Sequence, residues 1–342
     1  MNAPLPWQAT QWAAIGRAQA AGRLHHALLA AGPPGVGKAQ FLEALAALLL
    51  CDAPRDGTAC GECRSCRQHA AGSHPDCTVL SPDPLQRAAF GAYPGQRCQQ
   101  DSTRKKPATI ISVDQVRELR QRLHATAHYG AYKLAVLLPA DALNTAAANA
   151  LLKLLEEPPD NTVFLLLSQR LASLPATVRS RCQLLRFSTP PVSMARALVD
   201  QDDPAAELAL DLAGGAPLRA GELLAQDVGA VWQAVCDGLG GLVGGTNDPL
   251  GVARACLKLP PQAMEAAFYG WLRQALRRAS GQPADTAVAA TTPARLQAFA
   301  RELDQYLRLR EHPLVRELAL QRLFYPLWAG TMTPSSAKPE QS

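Results

Sequence analysis

The stretch His25–Phe41, HHALLAAGPPGVGKAQF, constrains this chain more than any other. An apolar run breaks at a glycine-rich turn and resumes as a helical pattern, so a strand hands over to a helix within a few residues. Gly32, Gly35, Gly37 and Lys38 fit the phosphate-binding pattern G-x-x-x-x-G-K-[ST] at every place but the last, where Ala39 stands. Such a loop works because small residues let successive backbone N–H groups converge on anionic oxygens at a helix N-terminus. The lysine adds a point charge, and the missing hydroxyl would hold magnesium. Gly32, Gly35, Val36, Gly37, Lys38 and Ala39 therefore form a degenerate nucleotide-binding set. The plainer alternative is a glycine turn that only packs helix on strand.

The first half of the 342-residue chain continues in the same manner. DCTVLSP, KLAVLLP, NTVFLLLS and CQLLRF read as further strands, and helical patterns alternate with them, as in a parallel α/β sheet. SVDQVRELRQRLH opens on a capping box of Ser112 and Gln115. NTAAANALLKLLEEPP is a helix capped by Asn144 or Thr145 and stopped by Pro158 and Pro159. Residues 82–109 have no sustained period, many breakers and a basic end at Arg104–Lys106, which predicts an extended surface loop. Beyond RFSTPPVS the strand signals give way to helices. The expected organisation is an α/β domain over 1–187, a small helical domain over 188–230, a C-terminal helical domain over 231–330 and a disordered tail over 331–342.

An apolar fraction of 48% supports real cores, and a net charge of +5 permits acidic partners without requiring them. The N-terminus shows no secretory signal, and no apolar run approaches the roughly 20 residues needed to span a bilayer. A cytoplasmic protein is expected, whose nine cysteines are reduced rather than paired.

In an active phosphate-loop enzyme a later strand ends in an Asp followed by a catalytic acid. In KLAVLLPADALN those places hold Leu138 and Pro139, and Asp141 falls too late, at the expected start of the next helix. With hydroxyl, aspartate and glutamate all absent, magnesium has no protein ligand and water no base. Hydrolysis is not expected, while ATP binding without turnover stays open.

Cys51, Cys60, Cys63 and Cys66 have the spacing C-x8-C-x2-C-x2-C. Four thiolates around a tetrahedral cation suit structural zinc, with His69 and His74 in reserve. An iron–sulfur cluster is the main rival, but no fourth cysteine lies just downstream before a proline. Free thiols are the third reading. Cys77, Cys98, Cys182, Cys236 and Cys256 show no metal spacing.

LPATVRSRCQLLRF places Ser180, Arg181 and Cys182 between a short helix and a strand. Alone, this arginine reads as a solvated charge. In the order phosphate loop, four-cysteine module, NALLKLLEEPP and RSRCQ, the chain resembles the clamp-loader branch of the AAA+ superfamily. The eroded loop, the missing acids and the lack of a long C-terminal extension point to its delta-prime type, found in bacterial DNA polymerase III. The resemblance covers nearly the whole chain, although the basic loop looks longer than is usual for the family.

That resemblance implies a fold with an AAA+ sheet domain carrying a zinc module over 51–66, a helical lid and a helical collar. It implies a ring with motor subunits of the gamma/tau type and a delta subunit, which places a sliding clamp on primer–template DNA during replication. The delta-prime type is the rigid end piece, a component of the polymerase holoenzyme with no catalytic site of its own. Arg181 is then a finger reaching into a neighbour's ATP site, a task for which an always-charged fork is suited. Ser168 matches the family's first sensor. The second sensor arginine falls at Leu218 or Arg219, depending on register. Two rivals are an active motor ATPase, which would need the missing hydroxyl and acids, and a zinc-dependent nucleic-acid module. The latter would need aromatic residues between Cys51 and Cys66, where there are none.

Overall fold

A computed structural model describes residues 4–82, 110–124, 129, 131–199, 202–309 and 316–329. The chain divides into two compact units, Met1–Pro190 and Pro191–Ser342. The expected basic loop, apart from residue 82, and the expected tail lie outside the described residues.

The first unit is built on a five-stranded sheet. Its strands are β1 (Ala27–Ala31), β2 (Cys77–Leu80), β3 (Lys133–Leu137), β4 (Thr162–Ser168) and β5 (Gln183–Arg186). They lie in the order β2-β3-β4-β1-β5, and every pairing is parallel. These are the five apolar runs of the sequence. A parallel sheet is covered on both faces, so its inner strands are apolar throughout rather than alternating. β1 and β4 are buried at every residue, whereas edge strand β5 is mostly open.

The helices that cover the sheet follow from local chemistry. α1 spans Ala9–Ala20, α2 spans Lys38–Leu50 and α3 spans Arg64–Ala70. α2 is buried nearly all round, which explains an apolar pattern too dense for a surface helix. Its Phe41 ring meets Trp12 and Phe187 edge-on at 5.4 and 5.0 Å. α4 (Val113–His124) starts on the expected capping box: Ser112 N donates to Gln115 Oε1 at 2.8 Å, and Gln115 N donates to Ser112 Oγ at 3.4 Å. α5 (Thr145–Glu156) is capped by Asn144, whose Oδ1 accepts from Ala147 N at 2.7 Å. α6 (Ala176–Arg179) is a single turn before β5. Leu119, Leu123, Leu151 and Leu155 close one face of the sheet over Leu29, Ala135, Leu137, Phe164 and Leu166. That alternation along each strand is the period of two expected of β structure.

The second unit is helical: α7 (Val192–Arg196), α8 (Ala206–Leu212), α9 (Pro217–Leu224), α10 (Val228–Gly244), α11 (Pro249–Cys256), α12 (Pro261–Ala279), α13 (Pro293–Leu309) and α14 (Arg316–Trp328). One apolar cluster runs through it from Ala195 to Leu327, with Trp271 edge-on to Phe299 and Phe268 edge-on to Phe324. Among the described residues no helix is long and apolar enough to cross a membrane.

Candidate functional site

The phosphate loop has the backbone its glycines require. Gly35 and Gly37 have φ of 77° and 84°, a region that residues with a Cβ rarely occupy. At Gly32 a Cβ would stand 2.2 Å from the Phe187 carbonyl oxygen, so only glycine lets β1 pass that close to the end of β5. The N-terminal segment braces the loop from outside. Gln8 is buried and donates from Nε2 to the carbonyls of Val36 and Gly37 at 3.1 and 2.8 Å. Trp7 Nε1 donates to the Val36 carbonyl at 3.1 Å. Neither residue is marked by any local motif, because their partners lie 28 and 29 positions away.

Lys38 opens α2 and is 4% exposed. Its ammonium donates to the carbonyls of Gly32 and Pro33 at 2.7 and 2.6 Å. Burial lowers its pKa to about 8, against an opposing pull from the Asp141 carboxylate. The lysine thus closes the cradle on the loop's own oxygens.

The end of β3 holds buried Leu138 and then Pro139, neither able to ligate a cation. Asp141 does not start the next helix, which Asn144 caps. It sits in a short 3-10 turn, Ala140–Ala142, and turns to the end of β4. There Ser168 Oγ donates to Asp141 Oδ1 at 2.7 Å, and the N–H groups of Gln169 and Arg170 donate to Oδ2 at 2.7 and 3.0 Å. Both carboxylate oxygens are engaged, and the buried Ser168 hydroxyl gives its proton to this chain. Spacing alone could not show this, because the acceptor lies 27 residues from the serine.

The four cysteines converge as their spacing predicts. Their sulfur atoms all lie within 4.8 Å of one another, with Cys51–Cys63 at 4.0 Å and Cys60–Cys66 at 3.9 Å. Zinc–sulfur bonds of about 2.3 Å set tetrahedral sulfurs roughly 3.8 Å apart, so the set fits that ion. The N–H groups of Cys60, Cys63 and Cys66 donate to the sulfurs of Cys51, Cys60 and Cys63 at 3.3, 3.4 and 3.3 Å. Backbone donors, Glu62 and then Cys63, pull the Cys60 thiol down to about 6, while burial pushes the Cys51 and Cys66 thiols up. Ser65 Oγ donates to Asp52 Oδ1 at 2.8 Å and ties the start of the loop to α3. His69 and His74 are buried, and the group of possible ligands comprises the four cysteines without them. Cys77, Cys182, Cys236 and Cys256 are not in it, and Cys98 lies outside the described residues.

Arg181 lies just past α6 beside the end of α5. Its Nη2 pairs with Glu156 Oε1 at 2.6 Å, and Nη1 donates to the Thr177 carbonyl at 3.0 Å. Cys182, next in sequence, has its thiol raised to about 11 by burial and is no ready nucleophile. Leu218 and Arg219 are neighbours on α9, in the second unit.

A family model described as "DNA polymerase III, delta subunit" matches residues 7–191. A "DNA polymerase III subunit delta'" of Pseudomonas aeruginosa is 42% identical over 229 residues, 65% of this chain and 62% of that protein. The protein of that name from Escherichia coli is 36% identical over 67% of this chain and 62% of its own length. A "DNA polymerase III subunit gamma/tau" of Mycobacterium bovis is 30% identical over 58% of this chain and 32% of its own. The alignments thus span about three fifths of the length of the delta' relatives.

Proposed function

The chain belongs to the DNA polymerase III delta-subunit family, and from that membership we propose that it is a delta-prime-type clamp-loader subunit that hydrolyses no ATP itself. In this reading it joins motor subunits of the gamma/tau type and a delta subunit in a cytoplasmic ring. The ring places a sliding clamp on primed DNA during replication. The helical lid over 188–230 and the collar over 231–330 belong to this proposal, the collar as the assembly element.

The observation that carries it is the state of the phosphate loop. Lys38 and the glycine backbone are present, but Ala39, Leu138 and Pro139 occupy the places of the magnesium ligands and the base. Asp141, the carboxylate that acts on Lys38 among the described residues, has both oxygens committed to the end of β4. Nothing in the loop activates water. What the chain can offer a ring is Arg181, a permanent cation on a half-exposed surface turn, which could stabilise charge on a neighbour's γ-phosphate.

We assign zinc to Cys51, Cys60, Cys63 and Cys66 as a structural ion, since four thiolates leave no open coordination position. Bound there, it would fasten the loop after α2 to α3; it takes no part in nucleotide chemistry.

Steady-state hydrolysis by the purified chain tests the first claim. With magnesium and ATP, no turnover above buffer is expected, with or without primed DNA. DNA-stimulated turnover by the chain alone would make it a motor subunit.

A further inference from the structure

Two sequence motifs, NALLKLLEEPP and RSRCQ, meet in the fold, and an ion pair links their charged side chains. Glu156 ends α5 and Arg181 follows α6, and their side chains pair at 2.6 Å while remaining 49% and 36% exposed. The other arm of the guanidinium is held by the Thr177 carbonyl at 3.0 Å and lies 3.4 Å from Ser180 Oγ. The pair is not needed to join the two helices, because Leu155 and Val178 already share one buried cluster. It therefore restrains the arginine more than it supports the fold.

A cation that serves another subunit must first leave its own. We infer that Glu156 is a parking carboxylate for Arg181, holding the guanidinium on its own chain until a stronger anion faces it. The inference rests on the reading of Arg181 as a trans finger. A carboxylate brings one negative charge, whereas a terminal phosphate brings up to about two and further acceptor oxygens. A neighbour's triphosphate can thus draw the fork away, and after phosphate departs the carboxylate can take it back. Exposed ion pairs are weak, so the bias is at most about fivefold. That is enough to lower the fraction of fingers poised for insertion, and too little to trap them. Glu156 acts through Arg181 and is a positioning residue.

The test uses the full chain and the reconstituted ring with unaltered motor subunits. In the isolated chain, phenylglyoxal, an arginine-specific dicarbonyl, should label Arg181 about two- to fivefold faster in Glu156→Gln than in the parent, with labelling of Arg179 unchanged. In the ring, the same variant should raise turnover at subsaturating ATP by a comparable factor, through KM rather than kcat. The double variant Glu156→Gln/Arg181→Ala should match Arg181→Ala alone. Equal labelling of Arg181 in variant and parent overturns the parking. Faster labelling with unchanged or lowered ring turnover overturns its role in finger delivery. If an Arg181→Ala ring works as well as the parent, the finger reading itself fails, and the delivery role with it.

Discussion

Lys38 shows how one residue can keep a motif's appearance while its surroundings change what it does. Its ammonium is buried among loop carbonyls, and burial lowers its pKa from 10.5 to about 8. The unfolded chain then holds this proton more tightly than the folded one, so folding stability gains as pH rises through the interval from about 8 to 10.5. Replacing Lys38→Met should remove that gain. Urea unfolding of parent and variant at pH 8, 9 and 10 should show the parent's stability rising relative to the variant's. A constant difference across the series would mean that the lysine is solvated. The glycines and this lysine were legible in the sequence because their spacing is local. Gln8 and Trp7 were not, because a side chain that braces a loop from 28 residues away leaves no periodic trace.

Among the elements, the sheet was the most readable part, since a strand buried on both faces must be apolar along its whole length. Less readable was what happens at the strand ends. Asp141 looked like a helix-start residue, yet it holds the end of β4 through three donors. Asp141→Ala would leave the buried Ser168 hydroxyl without its acceptor, costing about 1–3 kcal/mol. Chemical denaturation should report that loss; a variant as stable as the parent would show that the carboxylate does not fasten β4. The cysteine module was legible for the opposite reason to Asp141, because C-x2-C-x2-C brings its ligands together locally. One zinc per chain is expected by elemental analysis. Its removal by a chelator should expose amides between Cys51 and Ala70 to exchange while those of β1 and β4 stay protected. The loss should fall short of the roughly 10–16 kcal/mol apparent for isolated zinc peptides, since the first unit keeps its own core. Unchanged protection without metal would leave the four thiols as packing residues.

At the scale of the whole molecule, a phosphate loop without side-chain cation ligands and a half-exposed surface arginine occur in one chain. The family assignment was legible from motif order, which no single motif could give. The meeting of Glu156 and Arg181 was not, because it depends on how α5 and α6 pack. In the proposed role, this chain lends charge to a reaction it does not perform. ATP turnover by a reconstituted ring carrying Arg181→Ala, with all other subunits unaltered, tests it most directly. The expected result is a loss of about 10³-fold or more at the neighbouring ATP site that Arg181 is proposed to enter, seen as collapse of clamp loading. A ring that hydrolyses ATP and loads clamps at the parent rate with alanine at that position would contradict it.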